Sequence, residues 1–184
     1  MDEYVELTKK AVEEYIKNKK IIKIPRNLPK KFYIPRGGVF VTIKKGKELR
    51  GCVGTYLPAE KNLAQEIVSS AISACSRDGR FYPVSEKELS GLSYEVSVLS
   101  RPQKIKAIEK HNPKKHGLIV ACADGRRGLL LPDLEGVDTV QDQIAIACQK
   151  GRIDPQSNNY ELYEFTVEKH IYPHTHGLTP GALG

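Results

Sequence analysis

Apolar positions along this chain recur at two periods, and the switches between them divide it into elements. From Asp2 to about Asn18, Val5, Val12, Tyr15 and Ile16 fall at helical spacing with charges between them, which predicts an amphipathic surface helix. IPRNLPKKFYIPRGG holds three prolines and two glycines and reads as a connection. VFVTIKKGKELRGCVGTY then runs through β-branched and aromatic residues on both sides of KKGKE, the pattern of a hairpin whose second arm delivers Cys52. In NLAQEIVSSAISACSRDG, Leu63, Ile67, Ala71 and Cys75 share one helix face; Asn62 is placed to cap the start, with Gln65 three residues on, and Gly79 to end it.

Ser85-x-x-Glu88 predicts a short helical turn stopped by Gly91. LSYEVSVLS alternates strictly, Tyr94, Val96 and Val98 against Ser93, Glu95 and Ser97, as a strand with one wet face does. HGLIVACADGRRGLLLP places two apolar runs around an Asp-Gly turn, a second hairpin with Gly128 to Pro132 as a buried strand. Thr139-x-x-Asp142 opens a helix with Val140, Ile144, Ala147 and Cys148 inward and Gly151 as its stop. YELYEFTVEKH is expected to be one strand, with Leu162 and Glu164 opposite Tyr163, Phe165 and Val167. Hairpins and single strands separated by helices, without a regular βαβ series, imply an α+β domain: a mostly antiparallel sheet flanked by helices. Residues 171–184 are expected to form a loose tail.

Length and composition narrow the classes without naming a chemistry. The chain has 184 residues, 40% of them hydrophobic and 28% charged, enough for one domain with a core that needs no metal or disulfide staple. No apolar run approaches the roughly 20 residues that span a bilayer, and MDEYVELTKK lacks the features of a signal peptide. The four cysteines form no CxxC pair, which argues against a zinc ribbon or thioredoxin-type site and for reduced thiols in a cytoplasmic protein. The net charge of +7 suits a Lys-rich surface. It also admits a nucleic-acid module, with Lys17, Lys19, Lys20, Lys30 and Lys31 near Phe32 and Tyr33, although no RNP, KH or zinc-finger pattern is present.

RGCVGTY is the stretch where chemistry is most plausible. Gly51 and Gly54 flank Cys52 and would let a ligand approach the backbone; if the chain turned there, its amides would form an anion-binding nest. Arg50 near the sulfur would favour the thiolate, though strand geometry decides whether the two side chains meet. The competing reading is a small thiol where two backbones pack closely. Arg80 is a candidate clamp for a carboxylate or phosphate, or a tie to Asp78 at the helix end, with Phe81 in the core. Glu95 could orient the thiol or bind a cation, or be a solvated strand carboxylate. His111 and His116 read as surface histidines. His174 and His176 share one side of an extended tail but lack a third metal ligand.

Leu49 to Tyr56 resembles the signature of the AMMECR family, named for the AMME-syndrome chromosomal region, whose prokaryotic members are also called AmmeMemoRadiSam system protein A. SRDGRFYPVSEKELSGLSYEVSVLSRPQKI, GLLLPDL and VQDQIAIACQKGRI resemble three further family blocks in the same order, so the likeness spans about residues 39 to 168. Two departures are Gly79, where the family usually has proline, and the absence of a tryptophan common after the last helix. The resemblance implies one domain over residues 1–170, with a larger and a smaller subdomain sharing a cleft near the RGC motif. It implies no established activity, and it suggests Memo-like and radical-SAM-like proteins as associates. The candidate set is therefore Cys52 as a reactive, catalytic thiol and Arg50, Gly51, Gly54, Thr55, Arg80 and Glu95 as binding residues, with no metal ligand and no cofactor. The leading expectation is a cleft that binds or processes a small molecule or peptide. A non-catalytic adaptor comes second and a nucleic-acid module third.

Overall fold

Residues 2–35, 37–157 and 159–172 are described in the computed structural model of the chain. Helix α1 (Glu3–Asn18) begins where the Asp2 carboxylate accepts the amides of Tyr4 and Val5 at 2.9 and 3.3 Å. Its buried stripe is Tyr4, Val5, Leu7, Thr8, Ala11, Val12 and Ile16, wider than the pattern suggested, and Tyr15 is only half-buried. Strands β1 (Val39–Lys45) and β2 (Glu48–Gly54) form the first hairpin, with Gly46 at φ 62° in its turn. Helix α2 (Leu63–Ser76) starts at Asn62, which accepts the Gln65 amide at 3.0 Å. It ends at Arg77 with φ −130°, so Gly79 is not its left-handed stop.

The Ser85–Glu88 capping box closes as expected, heading a 3-10 turn over Glu86–Gly91 that leads into β3 (Leu92–Leu99). After the two-residue β4 (Gln103–Lys104), the second hairpin comprises β5 (Gly117–Cys122) and β6 (Arg127–Leu130) around Gly125 at φ 91°. Helix α3 (Val140–Gly151) carries the Thr139–Asp142 box but runs through Gly151, and Arg152 takes the left-handed position at φ 52°. Its inward residues are Gln143, Ala147, Cys148 and Gly151; Val140 and Ile144 are only half-buried.

The last strand segment is two strands, β7 (Tyr160–Phe165) and β8 (Val167–Tyr172), divided at Thr166. They belong to different four-stranded antiparallel sheets: β2-β1-β3-β8 and β4-β7-β5-β6. Because β3 pairs with β8 and β4 with β7, one ribbon runs through both sheets. Its crossing point is fixed by the Ser100 amide donating to the Thr166 carbonyl at 2.9 Å and the Thr166 amide to Ser100 Oγ at 3.0 Å. Ile171 and Tyr172 complete β8 and so are not part of the tail expected from residue 171; residues 173–184 lie outside those described.

Three apolar clusters hold these layers. The largest joins α1 and α2 to Val39, Val41, Ile43, Tyr94, Val96 and Val98 on one face of the first sheet. A second lies between α3 and the second sheet, around Leu118, Val120, Leu130, Ala147 and Cys148. The third joins the sheets, with Phe40, Tyr56 and Val167 packed against Ile119, Ala121 and Phe165. The face of β3 expected to be wet is therefore only partly so: Ser97, which pairs with Phe40, is buried.

Candidate functional site

Strand β2 lies at a sheet edge, and its pairing with β1 contains an irregularity. Ile43 faces Gly51 and Lys44 faces Leu49, which leaves Arg50 as an extra residue. Such a bulge re-aims a side chain. Arg50 Nε and Nη2 donate to the two oxygens of Glu88 at 2.9 and 3.1 Å; Nη1 donates to the Tyr82 carbonyl at 2.8 Å and Nη2 to that of Pro83 at 3.3 Å. Arg50, with help from the Ser85 amide, holds the Glu88 carboxyl down to about 2. The sequence leaves open whether Arg50 meets the Cys52 thiol; its guanidinium is instead engaged in a staple between β2 and the segment 82–88.

Cys52 Sγ lies 3.3 Å from Thr42 Oγ1 on β1, its cross-strand partner. The Cys52 backbone points out of the sheet edge. Its amide donates to Asp78 Oδ2 at 2.8 Å and its carbonyl accepts from Arg80 Nη2 at 3.2 Å. Asp78 and Arg80 are joined by Nε–Oδ1 and Nη2–Oδ2 bonds of 2.9 and 2.7 Å. This ion pair supplies the donor and acceptor that a further strand would have offered, and so blunts the edge. The Arg80 guanidinium, followed by the Cys52 and Arg80 amides, holds the Asp78 carboxyl well below the usual carboxylate range. An anion nest over residues 51–54 does not form, because the segment is strand and the Cys52 amide is already bound to Asp78.

The two glycines make room for the chain itself. A Cβ on Gly51 would lie 2.1 Å from the Ala74 carbonyl oxygen of α2, and one on Gly54 2.0 Å from the Val39 oxygen and 2.5 Å from Phe40 Cα. Thr55 Oγ1 donates to the Leu57 carbonyl of its own loop at 2.6 Å or to Glu66 Oε1 on α2 at 2.8 Å. Glu66, buried and unmarked by any motif, also accepts the Ala59 and Glu60 amides at 2.8 and 2.7 Å. Glu95 pairs with Lys44 at 3.5 Å and shares a cross-sheet row with Thr42 and Cys52. Two strand spacings, about 10 Å, separate it from the cysteine backbone.

Beside this edge, Arg50, Gly79, Arg80, Phe81 and Tyr82 line an open depression of about 660 Å³. The Arg80 side chain is 58% exposed, its Nη1 has no hydrogen-bond partner among the described residues, and Tyr82 is 92% exposed. Of the cysteines only Cys52 is half-exposed; Cys75, Cys122 and Cys148 are buried. Burial pushes the Cys75 thiol up to about 11 and raises that of Cys148. Phe32, expected as a base-stacking platform, is fully buried, with Lys31 against its ring.

The second sheet brings together residues that the sequence left apart. His111 is buried rather than on the surface. Its Nδ1 lies 2.8 Å from Glu164 Oε2 and its Nε2 2.7 Å from Gln143 Oε1. His116 Nδ1 lies 3.7 Å from the same Glu164 oxygen. His174 and His176 fall outside the described residues. From the sequence both histidines read as surface residues; Gln143 falls in the block VQDQIAIACQKGRI, but nothing in the sequence ties it or Glu164 to them.

A family model described as AMMECR1 matches residues 5–170. A Thermotoga maritima protein is 44% identical over 168 residues, 91% of this chain and 96% of its own length. A Clostridium acetobutylicum protein is 40% identical over 170 residues, but the matched region spans only 36% of that longer protein. The crystal structure of an uncharacterised Pyrococcus horikoshii protein superposes with a TM-score of 0.80 at 32% identity, covering 92% of this chain and 91% of that one. Among the described residues no helix is long and apolar enough to cross a membrane.

Proposed function

The chain belongs to the AMMECR1 family, and on that footing we propose that it binds a small molecule or peptide in a cleft beside the RGC strand, with Cys52 as the thiol that meets the ligand. The observation that carries this reading is the contrast between backbone and side chain at one residue. The Cys52 amide and carbonyl are locked by Asp78 and Arg80, while the residue as a whole is half-exposed and its sulfur rests against the Thr42 hydroxyl. A side chain held on a rigid strand is pre-organised for contact. The row Cys52–Thr42–Glu95 lies next to the row of Phe40, whose ring belongs to the cluster joining the sheets. The larger subdomain is taken to be the first sheet with α1 and α2, and the smaller one the second sheet with α3. Arg80 Nη1 and the Tyr82 ring suit a ligand that carries a carboxylate or phosphate beside an apolar group.

Alkylation by iodoacetamide followed by peptide mapping tests the thiol. Cys52 should label first, and faster than in the urea-unfolded chain. A rate no greater than in the unfolded chain removes the reactive-thiol version and leaves binding alone. Titration with succinate, glutamate and inorganic phosphate, followed by NMR shifts at Arg80 and Phe81, tests binding. Absence of any saturable shift, or shifts unchanged in Arg80→Ala, removes the ligand site.

The 92% exposure of Tyr82 beside that depression supports a second reading, an adaptor surface for a Memo-like or radical-SAM-like protein. On that reading Tyr82→Ala weakens the complex and Cys52→Ser leaves it intact.

A further inference from the structure

We propose that His111, His116 and Glu164 form a binding site for a first-row divalent transition ion, zinc foremost, held by two imidazole nitrogens and one carboxylate oxygen. The site is independent of the Cys52 cleft. It is assembled by three elements. A turn at residues 112–116, in which the Lys115 and His116 amides donate to the Asn112 carbonyl at 2.9 and 2.8 Å, folds His116 back toward His111. Strand β7 contributes Glu164, and helix α3 contributes Gln143 behind His111. One ring nitrogen of His111, one of His116 and a Glu164 oxygen all lie within 4.8 Å of one another, and Nδ1 of His111 and of His116 lie 2.8 and 3.7 Å from Glu164 Oε2.

The hydrogen-bond network argues that this point of convergence receives a cation. The Gln143 amide orientation is assigned by its Nε2, which donates to the His116 carbonyl at 3.0 Å; Oε1 therefore faces His111 Nε2 as an acceptor. His111 must then carry a proton on Nε2. With that proton in place, the neutral ring would turn the lone pair of Nδ1 toward a carboxylate oxygen 2.8 Å away. A positive charge between them, a second proton or a metal ion, resolves that clash. His116 Nδ1 favours the metal. It is buried, is without a hydrogen-bond partner among the described residues, and sits 3.7 Å from the same oxygen.

The donor set and its supports fit such an ion. Metal-ligating histidines commonly donate their other ring N–H to a fixed acceptor, the part played here by Gln143, whose side chain is fully buried. Nitrogen–oxygen spacings of 2.8 and 3.7 Å bracket the value of about 3.3 Å that a tetrahedral ion with bonds of about 2 Å requires. Two imidazoles with one carboxylate select zinc and its first-row neighbours over calcium or magnesium, which prefer all-oxygen sites. The His116 and Glu164 side chains are 29% and 33% exposed, so the site lies near the surface, where a water molecule would complete the coordination.

The test titrates the full chain with Co²⁺, read by visible d–d absorption, and then displaces it with Zn²⁺. One equivalent should bind, and His116→Ala and Glu164→Gln should each weaken binding by roughly a hundredfold or more. Gln143→Leu should weaken it roughly ten- to a hundredfold. His116 and Glu164 are partly exposed, so both variants should keep the wild-type circular dichroism, and either one suffices if the other misfolds. No saturable Co²⁺ or Zn²⁺ binding overturns the proposal. So does binding that survives both substitutions, or that is lost only when His174 and His176 are replaced by alanine.

Discussion

Around Cys52, Arg50, Asp78 and Glu88 end on partners from their own chain. Around His111, three metal-type donors converge on one another and His116 Nδ1 ends on no hydrogen-bond partner among the described residues. The first region carries the family motif, yet most of that motif is engaged in holding β2 in place. The second is marked by no site motif, although Gln143 lies in the block VQDQIAIACQKGRI, and it holds a buried ring nitrogen without a hydrogen-bond partner among the described residues. A short sequence signature can therefore mark a demanding piece of backbone as readily as a reactive one. Orphaned buried polar atoms are a separate and more direct pointer to chemistry.

The largest expected effect breaks the first half of that contrast. Gly51→Val would drive a side chain into a carbonyl whose oxygen lies 2.1 Å from the nearest possible Cβ. Helix α2 would have to move, so a loss of about 4 kcal/mol or failure to fold is expected, read by urea denaturation. A near-neutral outcome would mean that the glycine serves ligand access and not packing.

Gln143→Leu carries the same test to the second region. It leaves the His111 Nε2 proton and the His116 carbonyl without their partner in a fully buried setting. A loss of about 2 to 3 kcal/mol in the absence of metal is expected from two unmade bonds. A loss below about 0.5 kcal/mol would show that His111 does not depend on this acceptor. Asp78→Ala ranks next. It strips the Cys52 amide and Arg80 of their acceptor, at a cost of about 2 kcal/mol, and iodoacetamide labelling of Cys52 should change along with it. Unchanged labelling would separate the thiol from its backbone clamp.

How much of this was legible beforehand follows from what each signal encodes. Capping boxes at Ser85 and Thr139 and the Asp-Gly turn are local chemistry, and they formed where the spacing placed them. The break at Thr166 was not visible, because alternation continues across it. Leu162 belongs to the α3 cluster while Tyr163, Phe165 and Val167 share the inter-sheet cluster, and only pairing partners reveal that two sheets are involved. The bulge at Arg50 is likewise a property of two strands together. His111 meets Glu164 across 53 residues, a separation over which no pattern in one sequence carries information.

Acid sharpens the comparison from the side of β2. Glu88 sits at about 2 when folded, below its ordinary 4.5. A depressed carboxylate contributes stability that is fully present above its unfolded value and is lost as pH falls through the folded one. Stability should therefore decline between about pH 4.5 and 2, with Asp78, lowered in the same direction, adding to it. Glu88→Gln should flatten the Glu88 share of that slope. An unaltered slope would mean that the Arg50–Glu88 staple is already open in solution.

Glu95→Gln is expected to do least, and the smallness is informative. Among the described residues Glu95 meets the partly exposed Lys44 at 3.5 Å and no other charged partner, and an ion pair of that kind contributes roughly 0.5 kcal/mol or less. Its place in the row with Thr42 and Cys52 is therefore not explained by folding energy. If Glu95→Gln leaves the urea midpoint unchanged but alters the rate or pH profile of Cys52 alkylation, the row acts electrostatically as a unit across its strands. If neither changes, the candidate surface contracts to Cys52, Thr42 and the exposed edge of Arg80, and the carboxylate is a solvated strand residue. Stability and labelling measured on this one variant thus decide how far the site extends across the first sheet.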